Sequence, residues 1–310
     1  SRWRTDGCDV LTHFHAGLGD VGYFMDPLET LLRTQPGLSV GLGILGLLVG
    51  SFLNVVIHRL PKMMEQQWER EAADIRGEAI PESASYSLAF PRSHCPNCNT
   101  EITALQNIPL LSYAVLGGRC AHCRVSIPLR YPLIELSTAV IWIVCGLTFG
   151  VGNPLAAAML LTAALIALTA IDLDHQLLPD NLTLPLLWIG LLINTDATFV
   201  SLENAVLGAI FGYLSLWSVY WLFKVITGKE GMGHGDFKLL AALGAWFGLQ
   251  ALPVIVMLSS LVGAVVGIAL ILSGRQSRAA PMAFGPFLAG AGVIHLFYPN
   301  LLTALITGSS

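Results

Sequence analysis

The sequence predicts an all-α polytopic membrane protein of about eight transmembrane helices, with a small cytoplasmic module between the first and the second. The 310 residues are 54% hydrophobic and only 12% charged, which is about half the charged fraction usual in soluble globular proteins. Long apolar runs without charge recur along the chain, whereas one polar stretch carries half of the basic residues. The composition excludes secreted and disordered classes, and a net charge of −4 leaves no basic surface for nucleic acid.

Two of the apolar runs are too long to be single transmembrane helices. A helix needs about 20 apolar residues to cross a hydrocarbon core of about 30 Å. The run 133–171 would extend about 58 Å as one helix, and the run 239–273 is also over-long. Each run must therefore fold into a hairpin, with turn-forming residues at 150–154 and at 250–253. The remaining spans, which bring the count to eight, are predicted at 38–57, 182–193, 202–223 and 284–306.

The basic residues predict the orientation, because cytoplasmic loops of membrane proteins carry an excess of Lys and Arg. Of the 16 basic residues, eight lie in 59–130, three flank the loop between the fifth and sixth spans, and two follow the seventh, all on one side. Arg2, Arg4 and Arg33 fall on the opposite side, together with both termini. We therefore expect the module to be cytoplasmic.

The predicted domains follow from these spans. Residues 1–37 form an N-terminal segment, partly outside the membrane, to which no motif assigns a role. The first transmembrane helix takes up 38–58, the cytoplasmic module 59–130, and a seven-helix transmembrane domain 131–306.

Four cysteines in the module are spaced as two CxxC pairs, Cys95 with Cys98 and Cys120 with Cys123, separated by 21 residues. Four thiolates at this spacing suit tetrahedral Zn²⁺, as in structural zinc ribbons. The site is predicted to be structural, because four Cys ligands leave no open coordination position. The alternative is two reduced or redox-active pairs, although a thioredoxin-type motif needs a βαβ context that is not visible here. The sequence thus predicts a zinc-binding module.

Two aspartates are predicted to meet at the cytoplasmic ends of their helices, since Asp172 ends the third span and Asp236 begins the sixth. Two carboxyls a few ångströms apart share a proton, so that one can activate water while the other protonates a scissile carbonyl or leaving amine. Gly233 and Gly235 remove side chains beside Asp236, which lets a substrate backbone approach. The alternative is that Asp236 and Asp180 cap the starts of their helices. Spacing alone does not decide between a catalytic role and a capping role.

Other acids near the span ends are reserve candidates. Asp174 lies about 200° around the helix from Asp172, so only one of the two can readily face Asp236. Glu135, one turn into the second span, either pairs with an arginine or lines a cavity. Asp180, at the start of the fourth span, is the third reserve candidate.

Several motifs together resemble those of the bacterial type IV prepilin peptidases, which are GxGD aspartic proteases and prepilin leader peptidases/N-methyltransferases. Residues 233–236 read Gly-His-Gly-Asp, and the two CxxC pairs and Leu178-Pro179-Asp180 stand in the family's order. The segments 50–61 and 128–136 are similar to further family signatures. The resemblance extends from about residue 26 to about residue 306.

The resemblance implies two activities. One is cleavage of the short basic leader of type IV prepilins or pseudopilins at the cytoplasmic membrane face. The other is S-adenosylmethionine-dependent methylation of the new N-terminal residue, commonly Phe. The resemblance implies Asp172 and Asp236 as catalytic residues, because the family's first aspartate lies seven residues before the proline of the Leu-Pro turn, here Pro179. It also links Gly118 to methylation and implies location in the bacterial inner membrane.

A transporter is the alternative from a different class, with Asp172, Glu135 and Asp236 as an ion or proton path and zinc as a stabiliser. Transporters commonly have repeated halves and broken helices near the bilayer midplane. The sequence has no visible internal repeat, and these acids lie near span ends. Other GxGD proteases, such as presenilin-like enzymes, are expected to lack the four cysteines. A prepilin peptidase is therefore the favoured hypothesis, with prepilins or pseudopilins and the lipid bilayer as partners.

Overall fold

The computed structural model describes residues 35–78, 86–229, 231–274 and 282–300. Nine α-helices and no β-strand run through these ranges, which confirms the predicted all-α fold. Most of the predicted N-terminal segment, and the cations Arg275 and Arg278, lie outside the described residues. The helices are α1 Gln35–Arg76, α2 Leu111–Val115, α3 Arg130–Phe149, α4 Asn153–His175, α5 Asp180–Ile193, α6 Leu202–Thr227, α7 His234–Phe247, α8 Leu252–Leu272 and α9 Gly285–Phe297.

The helix lengths are those of a multi-pass membrane protein. Three helices, α5, α7 and α9, have only 13 or 14 residues each. A helix of 13 or 14 residues is shorter than a full crossing of the membrane requires. The count of eight spans therefore stays a prediction. Among the described residues, five helical segments are long and apolar enough to cross a membrane, and they are Pro36–Arg76, Arg130–Phe149, Asn153–His175, Leu202–Thr227 and Leu249–Leu272.

Both predicted hairpins are confirmed. Three residues join α3 to α4, and the first of them, Gly150, has φ 63°. Four residues join α7 to α8, beginning with Gly248 at φ 80°. Glycine is favoured at both bends because a side chain is strained at positive φ. Pro253 lies in the first turn of α8, where the N–H that proline lacks would have no helical partner.

The first helix is longer than predicted. α1 has 42 residues, or about 63 Å of helix, so it is about twice as long as the hydrocarbon core is thick. The span predicted at 38–57 is the first part of this helix, which runs through Pro61 without a break. Pro61 removes one backbone hydrogen bond. Residues 62–76 are mostly strong helix formers, which keeps the helix continuous.

Small residues let α1 approach α3 closely. A Cβ added at Gly46 would lie 2.6 Å from the Cα of Ala139, and one added at Gly50 would lie 2.7 Å from the Cα of Glu135. Close backbone contact is how membrane helices associate, since lipid offers no hydrophobic driving force between them. The contact fixes the start of α3 against the middle of α1.

The short helix α7 lies at the centre of the bundle. All of its residues from Leu239 to Phe247 are buried, and α5, α6 and α9 pack around it. Gly208 of α6 and Gly244 of α7 meet backbone to backbone. Near the same end of the helix, Trp246 donates its indole N–H to the carbonyl of Leu186 in α5 at 2.8 Å. These contacts fix the last turns of α7 in the bundle, and the same buried helix carries Asp236 in its first turn.

Candidate active site and metal centre

Asp172 and Asp236 lie together at one end of the bundle. Asp172 belongs to the last turn of α4, Asp236 to the first turn of α7, and their exposed fractions are only 4% and 6%. The two carboxyls are near enough for their charges to repel each other. The structure therefore brings the two predicted catalytic residues into one site.

Neither Asp236 nor Asp180 is the N-cap residue of its helix. Gly233 is the N-cap of α7 and Pro179 is the N-cap of α5. Asp236 is the third residue of its helix and Asp180 the first, so both carboxyls lie in the first turn, where a negative charge interacts favourably with the helix N-terminus. A role at the helix start therefore stays open for both acids, and Asp236 differs from Asp180 in being buried beside Asp172.

A backbone amide of α9 holds Asp172 in place. The N–H of Gly285, the first residue of α9, donates to Oδ2 of Asp172 at 2.9 Å. Pro286 follows and has no N–H, so the amide of Gly285 is the donor that the start of the helix offers here. Gly285 was not among the predicted site residues. The signal for it in the sequence is a Gly-Pro pair at the start of an apolar run, which is typical of a helix start.

Leu178 packs between the starts of α7 and α9. A Cβ added at Gly235 would lie 2.7 Å from the Cβ of Leu178, and one added at Gly285 would lie 3.1 Å from both methyls of Leu178. Glycine at these two positions lets the three segments converge beside the aspartates. A Cβ added at Gly233 would lie 3.6 Å from Oδ2 of Asp236, an ordinary van der Waals distance.

The reserve aspartates have cationic partners. Arg130 forms an ion pair with Asp174. Lys238 donates to both carboxylate oxygens of Asp180, at 2.6 and 2.8 Å. Asp174 and Asp180 are also much more exposed than Asp172, with 35% and 52% of their side chains accessible. Their surroundings are those of surface ion pairs.

Glu135 anchors the module to the membrane helices. Its Oε2 accepts the backbone N–H of Leu110 at 2.8 Å, and its backbone packs against Gly50 of α1. No arginine is among the described partners of Glu135, and its place on a cavity stays a prediction. Glu135 instead connects α3, where it packs against Gly50 of α1, with the segment that precedes α2.

Arg59 forms a second anchor. Its side chain is buried, with 5% exposed, and its guanidinium donates to the carbonyls of Ser87, Leu88 and Pro91 at 2.9, 3.3 and 2.6 Å. A buried cation is costly unless its N–H groups are paired. The three carbonyls satisfy that need and fix the start of the module against α1.

The four module cysteines converge on one point. Their Sγ atoms all lie within 4.8 Å of one another, and those of Cys95 and Cys123 are 3.7 Å apart. Tetrahedral Zn–S bonds of about 2.3 Å would place the sulfurs about 3.8 Å apart. The side-chain amide of Asn97 lowers the pKa of the Cys123 thiol to about 6, which favours the thiolate that a metal binds. The donors therefore fit a metal ion, whereas two independent CxxC pairs do not predict this convergence.

The two CxxC pairs form matching turns. Asn99 follows the first pair with φ 54°, and Arg124 follows the second with φ 60°. The N–H of Asn99 bonds the carbonyl of Cys95 at 2.9 Å, and that of Arg124 bonds the carbonyl of Cys120 at 3.1 Å. Equal turns from unrelated residues indicate that both pairs are shaped for one shared ligand.

Gly118 shapes the approach to the second pair. It has φ 67°, and an added Cβ would lie 2.8 Å from the hydroxyl oxygen of Tyr113. Its carbonyl accepts the N–H of Ile127 at 2.8 Å. A side chain at this position would be strained and would displace Tyr113. The structure thus gives Gly118 a local conformational role, and its link to methylation stays a prediction.

The comparisons with known proteins agree with this arrangement. Residues 44–149 match the Bacterial Peptidase A24 N-terminal domain, and residues 159–268 match the Type IV leader peptidase family. A "Prepilin leader peptidase/N-methyltransferase" of Pseudomonas aeruginosa is 54% identical over 261 residues, which cover 84% of this chain and 90% of the relative. The chain belongs to the type IV leader peptidase family. Both Asp172 and Asp236 lie within the part that matches the leader peptidase profile.

Two further relatives of this leader peptidase have the same printed name. One from Aeromonas salmonicida is 56% identical over 83% of this chain and 89% of its own length. Another from Stutzerimonas stutzeri is 50% identical over 90% of this chain and 97% of its own length. No solved structure matches the chain. The transporter alternative finds no support in either the family profiles or the relatives.

Proposed function

We propose that this leader peptidase cleaves the basic leader from type IV prepilins or pseudopilins and methylates the N-terminal residue that cleavage exposes. The observation that carries the proposal is the pair of buried carboxyls, Asp172 and Asp236, within the region that matches the leader peptidase family. The relatives, which are named for both activities, support it along most of the chain.

The two aspartates differ in their surroundings, and the difference suggests their roles. The amide of Gly285 donates to Asp172 and stabilises the charged form of that carboxyl. Two neighbouring carboxyls share one proton, and because the amide of Gly285 favours the charge on Asp172, the proposal assigns that proton to Asp236. Asp172 then takes a proton from the attacking water, and Asp236 protonates the oxygen of the scissile carbonyl.

The proposed site faces the cytoplasm, at the inner membrane of a bacterium. A cation accompanies each aspartate, since Arg130 pairs with Asp174 just after Asp172, and Lys238 follows Asp236 on α7. Cytoplasmic ends of membrane helices are enriched in such cations. A prepilin combines an apolar helix with a basic leader, so its scissile bond would lie at this surface.

The proposed domains are the first transmembrane helix at 38–58, the module at 59–130 and the seven-helix domain at 131–306. The first part of the module, up to Arg76, continues α1. Zn²⁺ bound by the four cysteines has a structural role in this proposal. S-adenosylmethionine would supply the methyl group, and the resemblance links only Gly118 to that step.

Replacing Cys95 or Cys120 with Ser is expected to abolish zinc binding. Hydroxyl oxygens are poor substitutes for thiolates at a site built from four cysteines, and three remaining ligands leave it open. Metal content of the purified protein, measured by mass spectrometry, should fall from one zinc per chain to near zero. Cys145→Ser is the matched control, because Cys145 is buried in α3 outside the cluster. Wild-type protein without zinc would contradict the assignment of the metal.

Purified enzyme in detergent is expected to shorten a full-length prepilin by the mass of its leader. With S-adenosylmethionine present, the mature product should also gain one methyl group at its N-terminus. Asp174→Asn and Asp180→Asn are expected to retain cleavage of the same order, because exposed ion pairs contribute about 0–1 kcal/mol. Intact mass spectrometry of the substrate measures both steps. An unchanged prepilin mass with wild-type enzyme would contradict the proposed function.

A further inference from the structure

A stretch without charge crosses the otherwise polar module. Residues 102–118 contain no Asp, Glu, Lys or Arg, whereas Glu101 and Arg119 border them directly. Leu105 and Val115 are both 77% exposed. Other large apolar side chains exposed in the same stretch are Ile102, Ile108 and Leu111. So many exposed apolar groups in one short stretch indicate a surface that is covered by something other than water.

The position of Leu110 gives the depth of this stretch. Its N–H is bound to Glu135, which lies five residues into α3 from Arg130, or about 7.5 Å along the helix axis. Gly50, which meets the backbone of Glu135, lies nine residues before Arg59 on α1, or about 13.5 Å along that helix. Leu110 is therefore on the membrane side of both arginines, within the apolar part of the two helices.

The backbone of the stretch is suited to that depth. Non-helical backbone within a membrane is tolerated only where its polar groups find partners. A 3-10 turn over Leu105–Asn107 and the short helix α2 pair most N–H groups locally, and Pro109 has none to pair. The amide of Leu110 is paired by Glu135. This contact explains a buried acid inside a transmembrane helix, which is otherwise costly.

We propose that residues 102–116 form a re-entrant element whose apolar side chains enter the lipid leaflet beside α3. The occupant of the surface is lipid, because Leu110 is bound to Glu135 of α3, and the neighbours of Glu135 on that membrane helix, Leu133 and Leu136, are 59% and 47% exposed. Insertion to about 5–10 Å is typical of elements that lie at the headgroup boundary. The element anchors the metal module at the membrane surface, independently of the aspartates.

The test places an environment-sensitive fluorescent amino acid at one position of the full chain at a time. Leu105 and Val115 are the test positions, and Ile75, which is 86% exposed near the end of α1, is the matched control. Ile75 lies 16 residues beyond Arg59, about 24 Å along the helix and away from the membrane. The protein is reconstituted in phosphatidylcholine and phosphatidylglycerol vesicles, with or without bromine on the acyl chains.

Brominated lipid is expected to quench the label severalfold at 105 and 115 and to leave the label at 75 unchanged. Equal, unquenched emission at all three positions would overturn the proposal. If brominated lipid leaves the emission unchanged but added prepilin changes it, the surface binds the substrate helix. That result would also overturn the proposal. The fluorescence measurement does not depend on catalysis, so its outcome is independent of the cleavage assay.

A pair of variants tests the anchor in the same vesicles. Glu135→Gln keeps a carbonyl oxygen that can accept the N–H of Leu110, whereas Glu135→Ala removes the acceptor. Quenching at 105 should persist in Glu135→Gln and fall in Glu135→Ala, with both proteins monodisperse on size exclusion. Equal loss of quenching in both variants would contradict the role of this hydrogen bond. So would full quenching in both variants.

Discussion

Asp172→Asn and Asp236→Asn are each expected to lower the rate of leader cleavage by roughly 10² to 10⁴-fold. The amide has nearly the shape of the carboxyl but neither accepts a proton from water nor donates one as an acid. Both side chains are almost fully buried in the bundle. Since an uncharged amide is no more costly to bury than a carboxyl, the variants should still insert and remain monodisperse.

Single-turnover cleavage of a prepilin, with enzyme in excess, measures this loss without interference from product release. The double variant should be no slower than the slower single variant, because residues that act as one unit have non-additive effects. Zinc content checks that the cysteine module, which is anchored by Arg59 and Glu135, is folded, and a monodisperse profile on size exclusion checks the helical bundle around the aspartates. Cleavage at a wild-type rate by either single variant would remove that residue from the catalytic pair.

The helical architecture could be predicted because it follows from local properties of the chain. The over-long apolar runs had to bend, and Gly150 and Pro253 are residues that bends and helix starts favour. The convergence of four sulfurs was also predictable, because the CxxC spacing carries it. In each case the decisive residues are close together in sequence.

The features that were missed depend on distant partners. Glu135 was recognised as an acid in an unfavourable place, but its partner is a backbone amide 25 residues away, with no side-chain signature. The predicted first span ended at Ile57, where the uncharged run ends, whereas the strong helix formers beyond Arg59 continue α1 to Arg76. Gly285 acts through an N–H that nearly every residue has, so only the fold could reveal it.

Gly285→Ala is expected to lower kcat for cleavage by about 10²-fold, because a displacement near 1 Å can cost that much. The new Cβ would lie 2.6 Å from Oδ2 of Asp172 and 3.1 Å from the methyls of Leu178, so the carboxyl must move. Its hydrogen bond to the amide of residue 285 would lengthen or break. KM for prepilin should stay near the wild-type value, because no contact to the bulk of the substrate is altered.

Gly290→Ala on the same helix is the matched control, since a Cβ there meets nothing within 4 Å. It should cleave like wild type, which separates the effect of added bulk on α9 from the effect beside Asp172. Methyl transfer to a pilin whose leader has already been removed gives a second readout, and Gly285→Ala should retain it. Equal loss of both activities in Gly285→Ala would point to general unfolding and against a positioning role. A selective loss of cleavage would instead make the start of α9 part of the machinery, with a backbone amide deciding which of the two aspartates is charged.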